Sequence, residues 1–143
     1  MDTLSIILNY TNLTPKCHIL IYDETHGFLC QAITQRTSMQ SNIISVFDEK
    51  IRGKNMCLLN LRKKDKYPIT YVNRSYLSDE TSLYYPVMSK YYTDYFENII
   101  ICIKREENLC EIFFSLFRYL KICGIIIIYS KDLKVCINNK LLI

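Results

Sequence analysis

The residues best suited to chemistry lie in one turn. Asp23-Glu24-Thr25-His26-Gly27-Phe28-Leu29 follows the apolar run Cys17–Tyr22 (CHILIY). It leads into Phe28–Arg36, where Leu29, Ala32 and Ile33 share one helical face. An acid at a strand end, followed by spaced glycines opening a helix, lets backbone approach a nucleotide-like ligand closely. The acid is present as Asp23. Of the three glycine places only Gly27 is kept, and Thr25 and Leu29 hold the others. Side chains there would fill the space such a ligand needs. Asp48, just after the apolar run Asn42–Phe47 (NIISVF), stands where a second acid would hold ribose hydroxyls.

A second feature is charge. Lys50, Arg52, Lys54, Arg62, Lys63, Lys64 and Lys66 fall close together, offset in part by Glu49 and Asp65. Loops at the ligand-binding edge of a sheet could use them on phosphates. By charge alone the cluster fits an ordinary solvated loop equally well. The other reactive side chains point away from chemistry. His26 lies in the turn and His18 in a strand, with no second His or acid at ligand spacing, so no metal site is expected. The seven Cys are irregularly spaced, include no C-x-x-C pair and mostly sit among Ile, Leu and Phe. They read as reduced core thiols of an intracellular protein. Phe113, Phe114, Phe117 and Tyr119 read as core. Tyr84, Tyr85, Tyr91, Tyr92 and Tyr95 fit a subunit interface and an irregular packed segment equally.

The elements that position these residues follow from patterning. Strand 17–22, helix 28–36 and strand 42–47 make a βαβ unit and imply a parallel sheet. Met56–Leu61 (MCLLNL) is the expected third strand. Residues 68–95 resist assignment beyond a helix containing Val87–Tyr95. Glu97–Lys104 is a strand, and Glu106–Leu120 a helix with Glu106 and Glu107 in its first turn. Leu109, Phe113, Leu116, Phe117 and Leu120 form its apolar stripe. Gly124 reads as its stop signal and Ile125–Ser130 as the next strand. Lys134–Ile137 and Lys140–Ile143 would pair as a hairpin across Asn138-Asn139. Residues 1–15 are a lead-in, a short helix or strand, to an α/β core spanning 16–143.

With 143 residues, half of them apolar, 22% charged and only three Gly and three Pro, the chain suits a single packed domain. The net charge of +4 permits an anionic partner without requiring one. Met1–Tyr10 lacks the basic start of a signal peptide, and Ile122–Tyr129 is too short to span a bilayer.

Two βαβ halves describe a Rossmann-like sheet, and the turn compares with the cofactor turn of class I methyltransferases, which bind S-adenosylmethionine there. After the fourth strand, where base methyltransferases often place an Asp or Asn motif, stands Cys102-Ile103-Lys104-Arg105. The expectation is a class I methyltransferase fold with a degenerate cofactor site and no catalytic residue.

The stretches ILIYDETHGFLCQAITQR and NIISVFDEK resemble the non-catalytic subunit of the eukaryotic tRNA (adenine-58-N1)-methyltransferase, in a shortened form. Asp23, Gly27, Phe28, Leu29 and Arg36 occupy that family's places, and Ile128-Tyr129-Ser130 is similar to its V-Y-S close. Asn60 in LLNL is similar to the Asn after its third strand. The resemblance covers about residues 16–62 and 96–131. The family's N-terminal β-rich domain and long C-terminal tail have no counterpart here, which puts the tRNA contacts they supply in doubt. The resemblance implies a nuclear chain that binds no cofactor. Its partner would be the catalytic subunit, which carries S-adenosylmethionine, in a hetero-oligomer that grips tRNA, here with loop residues 50–66. Two other readings stand beside it. One is a divergent methyltransferase still using Asp23, Gly27 and Asp48; the other is a Rossmann-like interaction module without RNA.

Overall fold

A computed structural model describes residues 3–25, 27–48, 69–78, 94–104, 109–130 and 136–139, with residues 76, 78 and 136–139 described by backbone alone. In chain order the elements are α1 Thr3–Tyr10, β1 His18–Asp23, α2 Phe28–Arg36, β2 Asn42–Phe47, β3 Ile69–Asn73 and α3 Ser75–Ser78. After them come β4 Phe96–Ile103, α4 Leu109–Phe117, β5 Leu120–Ser130 and β6 Cys136–Asn139. The strands form one sheet in the order β3-β2-β1-β4-β5-β6. The first five are mutually parallel and β6 runs antiparallel to β5. This is a Rossmann-like class I methyltransferase fold in a single α/β domain.

Burial on both faces explains the continuous apolar runs, since helices cover each side of a parallel sheet. Alternation sorts side chains between two cores. Leu20, Ile44, Ile99, Ile101 and Ile126 meet Ile112 and Leu116 of α4 on one face. Ile19, Ile21, Ile43, Ile100 and Ile127 meet Ile7 of α1 and Leu29 and Ile33 of α2 on the other. A register shift between Phe96 and Asn98 resets the alternation at the start of β4, so Phe96 and Ile99 share a face.

Several expectations change. Among the described residues the third strand is Ile69–Asn73, within the stretch that patterning left unassigned. It is the edge strand of the described sheet and is buried only over its last two residues, so it lacks a continuous apolar run. Met56–Leu61 lies outside the described residues, as do residues 87–93; Asp94 and Tyr95 are not helical. Gly124 does not stop a helix. It sits inside β5, where a Cβ would lie 2.7 Å from Leu120 Cδ1 and 2.8 Å from the Lys121 carbonyl. Helix α4 ends at Phe117 and Leu120 already belongs to β5. Asn138-Asn139 belong to β6 and pair with Ile125 and Ile126, so no turn forms there. The lead-in holds a helix, α1, whose Ile7 is buried. No helix among the described residues is long and apolar enough to cross a membrane.

Candidate functional site at the carboxyl edge of the sheet

Pairing brings the carboxyl ends of four strands together. Asp23 stands beside Cys102, and Phe47 beside Asn73. Asp23 is buried, and its Oδ1 accepts the Thr25 amide at 2.6 Å and also the Thr25 hydroxyl. Thr25 Oγ1 in turn accepts the Leu29 amide at 3.2 Å, occupying one of the open donors of α2. Thr25 thus closes the turn from inside with its own side chain. Gly27 is left-handed, at φ 88° and ψ −2°, a conformation glycine adopts without strain. Leu29, by contrast, turns into the core with Cys30 and Ile33. Of the two residues that replace glycine, only Thr25 bears directly on the turn.

The second oxygen of Asp23, Oδ2, is buried with no hydrogen-bond partner among the described residues. Around it burial, chiefly, and the Asp23 charge push the Cys30 thiol up. The same two causes, with Glu24, take Cys102 to about 12. Burial, with smaller contributions from Cys30 and Asp23, raises Tyr71 to about 12. Both thiols therefore stay protonated at neutral pH and make poor nucleophiles. Glu24 straps β1 to β4: its amide donates to the Cys102 carbonyl at 3.0 Å and its Oε2 accepts the Lys104 amide at 2.7 Å.

Asp48 lies 3.9 Å from Arg74 Nη1, while Arg74 Nη2 binds Glu111 of α4. Burial works against the Arg74 charge, but its hydrogen bond to Glu111 leads the contributions that hold it above its ordinary value. Tyr22 is raised to about 12 by burial first, then by Glu24 and Asp48, against a hydrogen bond from Arg74. The place of a ribose-binding acid is thus taken up by an ion pair with the residue that follows β3. Asn73, the last residue of β3, accepts the Ser75 amide at 3.0 Å.

The basic residues Lys50, Arg52, Lys54, Arg62, Lys63, Lys64 and Lys66, together with His26 and Asn60, lie outside the described residues. No group of His, Cys, Asp or Glu among the described residues could hold a metal ion. Cys17, Cys30 and Cys102 are core thiols, but Cys110 and Cys123 are exposed, as is Phe114. The lone Cys110 and Phe114 fall on the outer face of an amphipathic α4. Patterning missed Arg74, Tyr71 and Asn73 because their strand has only a partly apolar sequence. Three β-branched residues around an aromatic, ITYV, were the available signal.

No family model matches the chain. A stretch of 49 residues is 37% identical to the tRNA (adenine(58)-N(1))-methyltransferase non-catalytic subunit TRM6 of Debaryomyces hansenii, covering 34% of this chain and 10% of that protein. Among solved structures, the chain is similar to precorrin-6y C5,15-methyltransferase from Geobacter metallireducens, with a TM-score of 0.61 and 16% identity over 87% of this chain and 59% of that one. It is also similar to phosphoethanolamine N-methyltransferase 2 of Haemonchus contortus, with a TM-score of 0.62 and 14% identity over 89% of this chain and 27% of that one. The match therefore spans about a tenth of the curated relative, and the chain spans less than two thirds of these structures. Strand order, the acid-ended first strand and these likenesses together show that the chain has the fold of class I methyltransferases.

Proposed function

We propose that this chain is a non-catalytic methyltransferase-fold subunit of a tRNA adenine-N1-methyltransferase, acting beside a catalytic subunit that holds S-adenosylmethionine. The observation that carries this is Thr25: its hydroxyl occupies the inside of the cofactor turn, tied to Asp23 and to the Leu29 amide. The turn amide that would greet a ligand is met by the chain itself, and Asp48 faces Arg74. The local likeness to a non-catalytic tRNA methyltransferase subunit supports the same reading. In it, the basic residues between 50 and 66 contact tRNA in a nuclear hetero-oligomer. Isothermal titration of the isolated chain with S-adenosylmethionine tests the proposal: no heat is expected, and micromolar binding overturns it. For the RNA role, reversing charge at Arg62, Lys63 and Lys64 should weaken tRNA binding by the complex and flatten its salt dependence. Unchanged binding favours an interaction module without RNA.

A second reading has its own support. Asp23 Oδ2 is buried with no partner among the described residues, and Gly27 keeps the left-handed turn. The solved structures that the chain is similar to are methyltransferases, which sits closer to a divergent cofactor-binding enzyme than to an inactive subunit. Here a bound ligand would donate to Oδ2. Asp23→Asn then abolishes any cofactor binding that the titration detects.

A further inference from the structure

The opposite end of the sheet carries a second opening. A cleft of about 300 Å³ lies at the amino ends of β4 and β5, walled by the loop between α1 and β1. That is the lower end of the size range for small-molecule sites. Among its buried polar side-chain atoms one stands without a partner among the described residues. Glu97 accepts the His18 amide at 2.6 Å through Oε2 and the Lys121 ammonium at 3.2 Å through Oε1. Acid and base are thereby paired, and the wall carries no net charge from them. Thr11 spends its hydroxyl on the Ile7 and Leu8 carbonyls. Asn98 is different. Only 3% exposed, it lines the cleft with Oδ1 buried and without a hydrogen-bond partner among the described residues. A buried, unmet amide oxygen costs about 1–3 kcal/mol.

The local backbone keeps Asn98 there. The register shift between Phe96 and Asn98 places Asn98 on the α1 face, in phase with Ile100 and Cys102. The missing side chain at Gly124 lets β5 pass close to Glu97, whose carbonyl would lie 3.1 Å from a Cβ.

We propose that this cleft binds a small neutral amide through the Asn98 carboxamide. A carboxamide offers one acceptor and one pair of donors, so its natural complement presents N–H beside C=O. Either orientation of the Asn98 amide meets such a group equally. A carboxylate ligand would face Glu97, and a cation would compete with Lys121, so charge on the ligand brings no gain. Two sources share this chemistry: a free primary carboxamide and the lactam edge of a nucleobase.

The test titrates the ¹⁵N-labelled chain with nicotinamide, with uracil and with benzoate as the charged, amide-free control. Saturable shifts at Thr14, Asn98 and Gly124 with nicotinamide or uracil, and none with benzoate, support the site. The stronger of the two probes names the source. Shifts with benzoate alone, or none with any probe, overturn the proposal. Asn98→Leu keeps the shape and removes the acceptor; affinity for the better probe should fall at least about tenfold, in keeping with a lost buried hydrogen bond. Unchanged affinity in that variant also overturns the proposal. Should the variant not fold, the wild-type titration decides by itself.

Discussion

The two edges of the sheet solve the same problem differently. Each ends with a buried polar oxygen that has no partner among the described residues: Asp23 Oδ2 at the carboxyl edge and Asn98 Oδ1 at the amino edge. At the carboxyl edge, where this fold receives its ligands, the chain has turned inward. Thr25, Glu24 and Arg74 spend their hydrogen bonds on neighbouring strand ends and helices. At the amino edge the charges are paired off, yet an open cleft remains around a neutral amide. Side chains can thus bind one another at the edge this fold uses for ligands while space persists at the opposite edge.

The largest expected contrast is with pH. Cys102, with an ordinary value of 9.0, and Tyr22 and Tyr71, with ordinary values of 10.0, are each raised to about 12 at the carboxyl edge. A raised folded value favours the neutral form, so that stability is complete below the ordinary values and is lost as pH climbs from about 9 toward 12. Glu97 at the amino edge is shifted the other way. Burial opposes its charge, but the His18 amide and Lys121 together hold it below its ordinary 4.5. Its contribution is present above that value and disappears as pH falls beneath it. Hydrogen exchange should therefore show the β1–β4 carboxyl ends opening first in alkali and the β4–β5 amino ends first in acid. The same opening order at both extremes would break the comparison.

Next comes Asp23→Ala. It removes a charge-assisted acceptor from both the Thr25 amide and the Thr25 hydroxyl, and urea unfolding should show a loss of about 2–3 kcal/mol. A loss under about 0.5 kcal/mol would mean that the turn is held by its backbone alone. Gly124→Ala addresses the amino edge. The new Cβ would meet backbone at 2.8 Å, so overpacking should cost about 1–3 kcal/mol in the same measurement. A neutral result would show that the Lys121 backbone within β5 can give way there. The smallest effect belongs to Arg74→Gln. Glu111 is 68% exposed, so solvent screens the pair and at most about 1 kcal/mol should be lost. The informative readout is cofactor titration: if Arg74 is what keeps Asp48 occupied, the variant gains weak S-adenosylmethionine binding, whereas continued absence leaves Thr25 as the closing residue.

Legibility followed burial. Strand Asn42–Phe47 and helix Phe28–Arg36 are found with the bounds their patterns predict, because each is flanked by polar breaks and packs against the same core. The fourth strand differs from its expected limits by one residue at each end. Strand β3 escaped notice because an edge strand buries little, and Gly124 misled because a glycine required by close strand approach looks like one that ends a helix. The candidate turn was legible in part. Asp23, Thr25 and Gly27 could be named from spacing, and the helical period put Leu29 on the face of Ile33, which is the core face, so its side chain does not fill the turn as its glycine place suggested.

Amino-acid order alone determined the acid-ended first strand, the loss of two glycines in its turn and the apolar runs that demand a doubly covered sheet. These are local facts, set by side-chain type and period. Only tertiary structure decided that Arg74 meets Asp48, that Glu24 reaches Lys104 across β4, and that a cleft opens around Asn98. Those contacts join residues from 26 to 80 positions apart in sequence or depend on a register shift between strands, and no local pattern encodes such distances.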